Sequence, residues 1–132
     1  VCDGLSLGLN ARASLITRGM AETVRLGVAL GAEKDTFLGL AGAGDLFLTT
    51  TGELSRNRKV GKEIASGGSL GEILSNLGQV AEGVSNAPKL LLFGKALNVS
   101  LPITREVCSL LDEKKDAREA LNSLLQREPS DE

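Results

Sequence analysis

The chain has 132 residues, a formal net charge of −2, two cysteines and no histidine. This length is enough to bury one core, so we expect residues 1–132 to form a single domain. The slight negative charge argues against a nucleic-acid-binding protein, and two cysteines without histidine argue against a structural zinc site. No apolar run is long enough for stable membrane insertion and no signal-peptide pattern is present, so we expect a cytoplasmic protein.

Aromatic residues make up only 2% of the chain, so a core must be built from Leu, Ile, Val and Ala. An aliphatic composition of this kind favours helices. The hydrophobic periodicity and the turn residues indicate seven or eight helices and no convincing strand. The predicted fold class is therefore all-α.

The longest predicted helix spans residues 11–30, with Asn10 as its N-cap and Gly31 as its stop. Its apolar residues cover so wide an arc that we expect other elements to cover it on several sides, as the central helix of the domain. Its polar residues form one strip, spaced for ion pairs between neighbours: Arg18, Glu22 and Arg25.

Shorter helices are predicted next. Asp35 opens one that runs through Leu40, a second spans residues 45–51, and Ser55 is the N-cap of a third over residues 56–65. Ser69 and Glu72 resemble a capping box, in which each side chain bonds to the other's backbone N–H, for a helix that ends near residue 77.

The following helix begins within residues 79–83 and ends near residue 97, and Pro88 is tolerated only near its amino end. Pro102 starts the next helix and Asp116 caps the last one. We expect residues 127–132 to fray. The large apolar residues of the helix that contains Pro88 are predicted to be largely buried: Leu90, Leu91, Leu92, Phe93, Ala96 and Leu97.

Residues 41–61, AGAGDLFLTTTGELSRNRKVG, carry more polar chemistry than a short core element needs. Gly42 and Gly44 permit a sharp turn or a close approach, and Asp45 follows them at once. They are not a dinucleotide-binding fingerprint, because no β-branched strand precedes them and the third glycine is absent. We predict an active site here. The alternative is an ordinary turn, an acidic first helical turn and a solvated basic face.

The helix predicted from residue 56 starts with basic residues, which the positive end of the helix dipole disfavours. The same end presents unpaired backbone N–H groups beside Arg56 and Asn57, a combination suited to a bound phosphate. A bound anion would offset the unfavourable interaction of these basic residues with the helix dipole, so the sequence predicts a phosphate site at residues 55–57.

Residues 10–61, NARASLITRGMAETVRLGVALGAEKDTFLGLAGAGDLFLTTTGELSRNRKVG, resemble the substrate-binding half of bacterial-type NAD(P)-dependent glycerol-3-phosphate dehydrogenases. GQVAEG at 78–83 and LPITREV at 101–107 match further segments of that half in the same order. The resemblance covers nearly the whole chain. It implies an all-helical domain of the type at the C-terminus of 6-phosphogluconate dehydrogenase, organised on a long central helix.

The resemblance also implies site residues. Asp45 would help to hold a catalytic lysine and the reacting end of the substrate, and Thr49 would be a polar residue of the same catalytic site, unless it only satisfies a backbone carbonyl. Ser55, Arg56 and Asn57 would bind the substrate together with Asp45, the arginine and the asparagine at its phosphate.

The same resemblance places Val80, Glu82 and Arg56 against a nicotinamide nucleotide, NAD or NADP. Simpler roles stay open, with Val80 as a core residue and Glu82 as a surface residue. The AGAGD turn departs mildly from the more usual AGLGD of the family.

The dinucleotide-binding domain and catalytic lysine of the family would both precede Val1. We therefore expect this chain alone to be inactive. The full-length enzyme would interconvert sn-glycerol 3-phosphate and dihydroxyacetone phosphate with NAD(P)(H), feeding glycerophospholipid synthesis. Its partners would be that N-terminal domain and, as the family suggests, a second copy in a homodimer. Two alternatives are open: a non-catalytic helical interaction domain, and the helical domain of a related 3-hydroxyacid or sugar-phosphate dehydrogenase.

Overall fold

The computed structural model describes residues 1–127, which form eight α-helices, one π-helical turn and no strand, so the all-α prediction is confirmed. Of the tail expected to fray, residues 128–132 lie outside the described part. The π-helical turn, Leu40–Gly44, lies between the second and third helices. The helices are α1 (Gly8–Ala29), α2 (Lys34–Leu38), α3 (Asp45–Thr51), α4 (Arg56–Ala65), α5 (Leu70–Leu77), α6 (Glu82–Ala96), α7 (Pro102–Leu111) and α8 (Ala117–Leu125).

The start of α1 was predicted wrongly. Asn10 lies inside the helix, and Leu7 occupies the N-cap position without a side-chain cap. Residues 1–7 are already turned by backbone hydrogen bonds, and Gly8, at φ +78°, takes the chain into the helix two residues before Asn10. The predicted stop is confirmed, because Gly31 follows the helix at φ +91°.

The polar strip of α1 makes contacts to other helices, which the spacing of its residues did not predict. Glu22 is only 5% exposed, and its carboxylate accepts hydrogen bonds from the backbone N–H groups of Ile103 (2.7 Å) and Thr104 (2.9 Å) at the start of α7. Arg18 donates to the carbonyl of Leu124 at 2.9 Å, near the end of α8. These bonds connect the long helix to the C-terminal pair of helices.

The long helix contacts α2, α3 and α7, and α7 also packs against α6 and α8. Gly27 of α1 allows the close contact with α2, since an added Cβ would lie 2.1 Å from Cζ of Phe37. One core cluster lies between α4, α5 and the start of α6, around Val60, Ile73 and Ala81. A second, around Leu110, Ala117 and Ala120, joins α7 and α8.

The burial predicted for α6 is wrong. Phe93 is 54% exposed, and of the six apolar residues predicted to be buried only Leu91 is even half-buried. The buried positions are the small ones, Ala87 and Gly94, and an added Cβ at Gly94 would meet Leu101 at 2.4 Å. The helix therefore packs through its small residues and turns its large ones outward. Pro88 lies in the helix interior, which also differs from the prediction.

The predicted helix caps differ in outcome. The capping box predicted at Ser69 is wrong, because its side chain makes no cap hydrogen bond although α5 starts where expected. Pro102 is the first residue of α7, as predicted, and Asp116 forms a full capping box with Glu119 at α8.

Among residues 1–127, no helix combines the length and apolarity that crossing a membrane requires, and no group of three potential metal ligands occurs.

Candidate functional site

The segment that the sequence singled out forms the π-helical turn, α3, a short connection and the first half of α4. The close approach expected at its glycines occurs at Gly42, where an added Cβ would lie 2.1 Å from the carbonyl oxygen of Phe37. An added Cβ at Gly44 would make only ordinary contacts, the nearest to Leu40 Cδ2 at 3.6 Å. The carbonyl of α2 therefore packs directly on the turn that leads into Asp45.

Helix α3 spans the predicted residues and carries Asp45 and Thr49 on one face, because residues four apart are neighbours on a helix. The hydroxyl of Thr49 donates to the carbonyl of Asp45 at 2.8 Å, so its proton is used within the helix and its lone pairs stay available as acceptors. Asp45 is exposed and, within residues 1–127, has no hydrogen-bond or ion-pair partner.

The start of α4 has the predicted geometry. Ser55 is the N-cap, and its hydroxyl accepts a hydrogen bond from the backbone N–H of Arg58 at 3.3 Å. Arg56 is the first helical residue, is exposed, and has no partner in the described part of the chain. No acidic residue lies in this first turn. The positive end of the helix and an unpaired guanidinium thus lie together.

Asn57 connects this helix start to the second sequence motif, GQVAEG. Its side-chain Oδ1 accepts a hydrogen bond from the backbone N–H of Gly83 at 3.0 Å. Glu82 is exposed as the first residue of α6, and Val80 is 69% exposed in the preceding loop, so Val80 is not a core residue. A hydrogen bond therefore joins the start of α4 to the GQVAEG segment, at Gly83.

A cleft of about 420 Å³ lies between the first residues, α1, α3 and α4. It brings together Thr49, Ser55 and Asn57 over an apolar wall from α1. Asp45 and Arg56 do not line this cleft. Asp45 lies on the same face of α3 as Thr49, and Arg56 is next to both Ser55 and Asn57 in the chain.

Three charged residues of this cleft were missed by the sequence analysis: Asp3, Arg12 and Arg58. The carboxylate of Asp3 pairs with Arg58 Nε at 2.5 Å and with Arg12 Nη1 at 3.4 Å. The hydrogen bond from Arg58 holds the pKa of Asp3 below its usual range. No spacing rule links residues so far apart in the chain, so only the folded structure reveals this cluster.

Neither cysteine is suited to act as a nucleophile at this site. Both are free thiols, and burial raises the pKa of Cys2 and of Cys108. A thiol with a raised pKa is mostly protonated at neutral pH and is a poor nucleophile.

The fold and this surface define an all-helical domain with an anion-favouring helix start beside a carboxylate-bearing helix. A family model described as NAD-dependent glycerol-3-phosphate dehydrogenase C-terminus matches residues 1–122. The chain belongs to this family.

Curated relatives match along nearly the whole chain. Glycerol-3-phosphate dehydrogenase [NAD(P)+] of Cupriavidus pinatubonensis is 57% identical over 130 residues, which cover 98% of this chain and 38% of the relative. The protein of the same name from Polaromonas naphthalenivorans is 58% identical over 132 residues, covering 100% of this chain and 38% of the relative. The chain thus spans about two fifths of the length of these relatives.

A solved structure has the same fold. The crystal structure of glycerol-3-phosphate dehydrogenase from Coxiella burnetii superposes with a TM-score of 0.92 at 40% sequence identity. The match covers 96% of this chain and 39% of that chain. The all-helical prediction and the family resemblance are both confirmed by these comparisons.

Proposed function

We propose that residues 1–132 are the helical substrate-binding domain of a longer oxidoreductase that interconverts sn-glycerol 3-phosphate and dihydroxyacetone phosphate with NAD(P)(H). The observation that carries the proposal is the start of α4, where an exposed, unpaired Arg56 and an N-capped helix end lie in a chain of this family. The proposed enzyme is cytoplasmic and supplies glycerophospholipid synthesis.

The phosphate of the substrate is assigned to residues 55–57. Arg56 provides an unpaired guanidinium, Asn57 provides an amide, and the helix end adds backbone N–H groups and a positive dipole. A charge-assisted bond between an arginine and a phosphate contributes roughly 1.5–3 kcal/mol. The phosphate is remote from the reacting carbon. Its binding free energy can drive closure of the two domains and so accelerate the reaction step.

The reacting end of the substrate is assigned to α3. Carbonyl reduction requires a proton donor and stabilisation of the developing negative charge on oxygen. In this proposal a lysine from the preceding part of the longer protein provides both, and Asp45, which is exposed and unpaired within residues 1–127, orients that lysine. Thr49, one turn later, offers its hydroxyl lone pairs at the same face.

The nicotinamide nucleotide supplies or accepts the hydride when it is bound, mainly by the preceding domain. Val80, Glu82 and Arg56 are the residues of this chain that we assign to it. All three side chains are exposed, which fits a contact across a domain boundary. The hydrogen bond between Asn57 and Gly83 keeps the loop of Val80 beside the start of α4.

The surface of the chain supports a covering partner. A compact monomer of 13.8 kDa is expected to expose about 6,600 Å², whereas this chain exposes 8312 Å². The segment that contains Asp45 exposes large apolar side chains, including Leu40 at 92% and Leu54 at 97% exposure. We assign this face to the N-terminal dinucleotide-binding domain, and the exposed apolar face of α6 is available for a homodimer.

A chimera tests the proposal. The part of the Cupriavidus pinatubonensis relative that precedes its matched segment is joined to residues 1–132, and NADH oxidation with dihydroxyacetone phosphate is measured. We expect turnover by the chimera and none by either part alone. A folded chimera without turnover would contradict the proposed function and favour a non-catalytic interaction domain.

A titration of the isolated chain with inorganic phosphate, followed by NMR, tests the assignment of the anion. We expect amide shifts to cluster at residues 55–58. Shifts spread evenly over the basic surface would contradict it. Sedimentation of the chimera at several concentrations tests the homodimer.

A further inference from the structure

We infer that Gly83 is a positioning residue for Asn57. Its backbone N–H orients the asparagine side chain so that the NH₂ group faces an anion at the start of α4. This inference rests on the proposed function for the identity of the anion. The observation is the 3.0 Å hydrogen bond from the backbone N–H of Gly83 to Oδ1 of Asn57, between residues 26 positions apart.

The direction of this bond determines which end of the amide is free. A backbone N–H can only donate, so the carbonyl oxygen of the Asn57 side chain must face Gly83. The Nδ2 group is then the free end of the amide, and it has no partner among residues 1–127. An unpaired donor beside the helix end and Arg56 is the group that a phosphate oxygen requires.

The absence of a side chain at residue 83 is part of the arrangement. An added Cβ would lie 2.9 Å from Asn57 Oδ1, 3.1 Å from Cγ and 3.4 Å from Nδ2. An alanine would therefore push the asparagine side chain from its position. Gly83 is the second residue of α6, where its N–H has no partner within the helix, so Asn57 satisfies a donor that the helix leaves open.

Gly71 provides a matched control. It is the second residue of α5, and an added Cβ there would meet nothing within 4 Å. Replacing each glycine by alanine makes the same change in helix propensity at the same helical position. Only the change at Gly83 meets a candidate binding residue.

Hydrogen exchange tests the bond itself in the isolated chain. After correction for the intrinsic exchange rate that the local sequence sets, we expect the Gly83 amide to exchange about tenfold more slowly than the Gly71 amide. In Asn57→Ala the Gly83 amide should lose this protection. An unprotected Gly83 amide, or one that Asn57→Ala leaves unchanged, would overturn the inference. This readout needs no enzyme activity.

Phosphate binding tests the consequence. In the NMR titration we expect Gly83→Ala to weaken inorganic phosphate binding about tenfold and Gly71→Ala to leave it unchanged. Asn57→Asp keeps the acceptor for Gly83 but replaces the donor, so it should preserve the Gly83 protection while abolishing phosphate binding at residues 55–58. Equal phosphate affinity in Gly83→Ala and the unmodified chain would refute the positioning role.

The chimera separates this inference from the proposed function. If the unmodified chimera is active, Gly83→Ala should raise KM for dihydroxyacetone phosphate about tenfold, and Gly71→Ala should leave that KM within about twofold. An unchanged KM for the substrate would remove the positioning role and leave the dehydrogenase assignment intact. An inactive chimera would contradict the dehydrogenase assignment. If the Gly83 amide were still protected and phosphate binding still depended on Gly83, the positioning role would stand.

Discussion

Asp3 and Arg58 lie 55 residues apart in the chain, and the guanidinium Nε of the arginine donates to the carboxylate of the aspartate at 2.5 Å. The same carboxylate pairs with Arg12 of α1 at 3.4 Å. Arg12 in turn donates to the carbonyl of Thr50 at 3.2 Å, at the end of α3. The Asp3 carboxylate thus connects α1 and α4, and Arg12 extends this network to α3, the third helix at the candidate cleft.

The first prediction concerns pH. The pKa of Asp3 is lowered by its hydrogen bond from Arg58, so the folded state favours the ionised form. Its contribution is fully present above the unfolded pKa, near 3.9, and is lost as the pH falls through the lower folded value. At pH 7 we expect Asp3→Asn to reduce the free energy of unfolding by about 1–2 kcal/mol. Urea denaturation should show that the difference in free energy of unfolding between Asp3→Asn and the unmodified chain becomes smaller below about pH 4.

The control for this prediction is Asp112→Asn. Asp112 also pairs with a cation, Lys114 at 2.7 Å, but both side chains are exposed. Exposed pairs contribute little to stability, so we expect no measurable change. Equal destabilisation by the two variants would mean that Asp3 contributes only surface charge.

The second prediction concerns Glu22, which acts as a cap supplied by another helix. α7 starts without a side-chain cap of its own, and the buried Glu22 accepts from Ile103 N, Thr104 N and the Thr104 hydroxyl. Glu22→Ala would leave partly buried N–H groups of Ile103 and Thr104 unsatisfied, so we expect a loss of about 2–4 kcal/mol in the free energy of unfolding by urea. Glu53→Ala, at an exposed loop position, should change it by less than about 0.5 kcal/mol.

Local signals predicted most of the fold. Ser55, Gly31, Pro102 and Asp116 each act within one turn of the chain, and the structure places all four at the predicted helix boundaries. Two local predictions, the caps at Asn10 and Ser69, are wrong, and other errors involve long-range contacts. Glu22 bonds a helix some 80 residues further on, which a spacing of three or four residues cannot predict.

The burial of α6 was mispredicted for a related reason. Hydrophobicity alone ranks Leu92 and Phe93 as core residues, but α6 packs through Ala87 and Gly94, whose small size permits close contact. A sequence pattern does not distinguish a face that packs within this domain from one that a partner covers. The candidate site divides in the same way. The sequence predicts Ser55 and Asn57 as site residues, whereas the hydrogen bonds of Asp3 and Gly83 are visible only in the folded structure.

The third prediction concerns the turn before Asp45. An alanine at Gly42 would place its Cβ 2.1 Å from the carbonyl oxygen of Phe37, so the backbone must move. We expect Gly42→Ala to lower the free energy of unfolding by at least about 2 kcal/mol in urea denaturation. Gly44→Ala meets only ordinary contacts and replaces a flexible residue in a helical conformation, so it should be neutral or stabilising by up to about 1 kcal/mol. Similar destabilisation by both variants would contradict the specific role of Gly42.

The last prediction concerns Arg56 in the chimera or the longer protein. If its guanidinium binds the substrate phosphate, Arg56→Ala should lower kcat/KM for dihydroxyacetone phosphate by about 10- to 100-fold. Lys59→Ala is the matched control, because it removes an exposed positive charge from the same helix without altering its first turn. Equal losses in the two variants would indicate only long-range attraction of an anion.

Phosphite separates phosphate binding from other effects of this substitution. Dihydroxyacetone lacks the phosphate, and added phosphite dianion can supply the missing interaction from solution. We expect phosphite to increase turnover of dihydroxyacetone when Arg56 is present and to have little effect in Arg56→Ala. Because Lys59→Ala retains the helix start, its activation by phosphite should match that of the unmodified protein. Activation that survives the loss of Arg56 would assign the dianion to a different group.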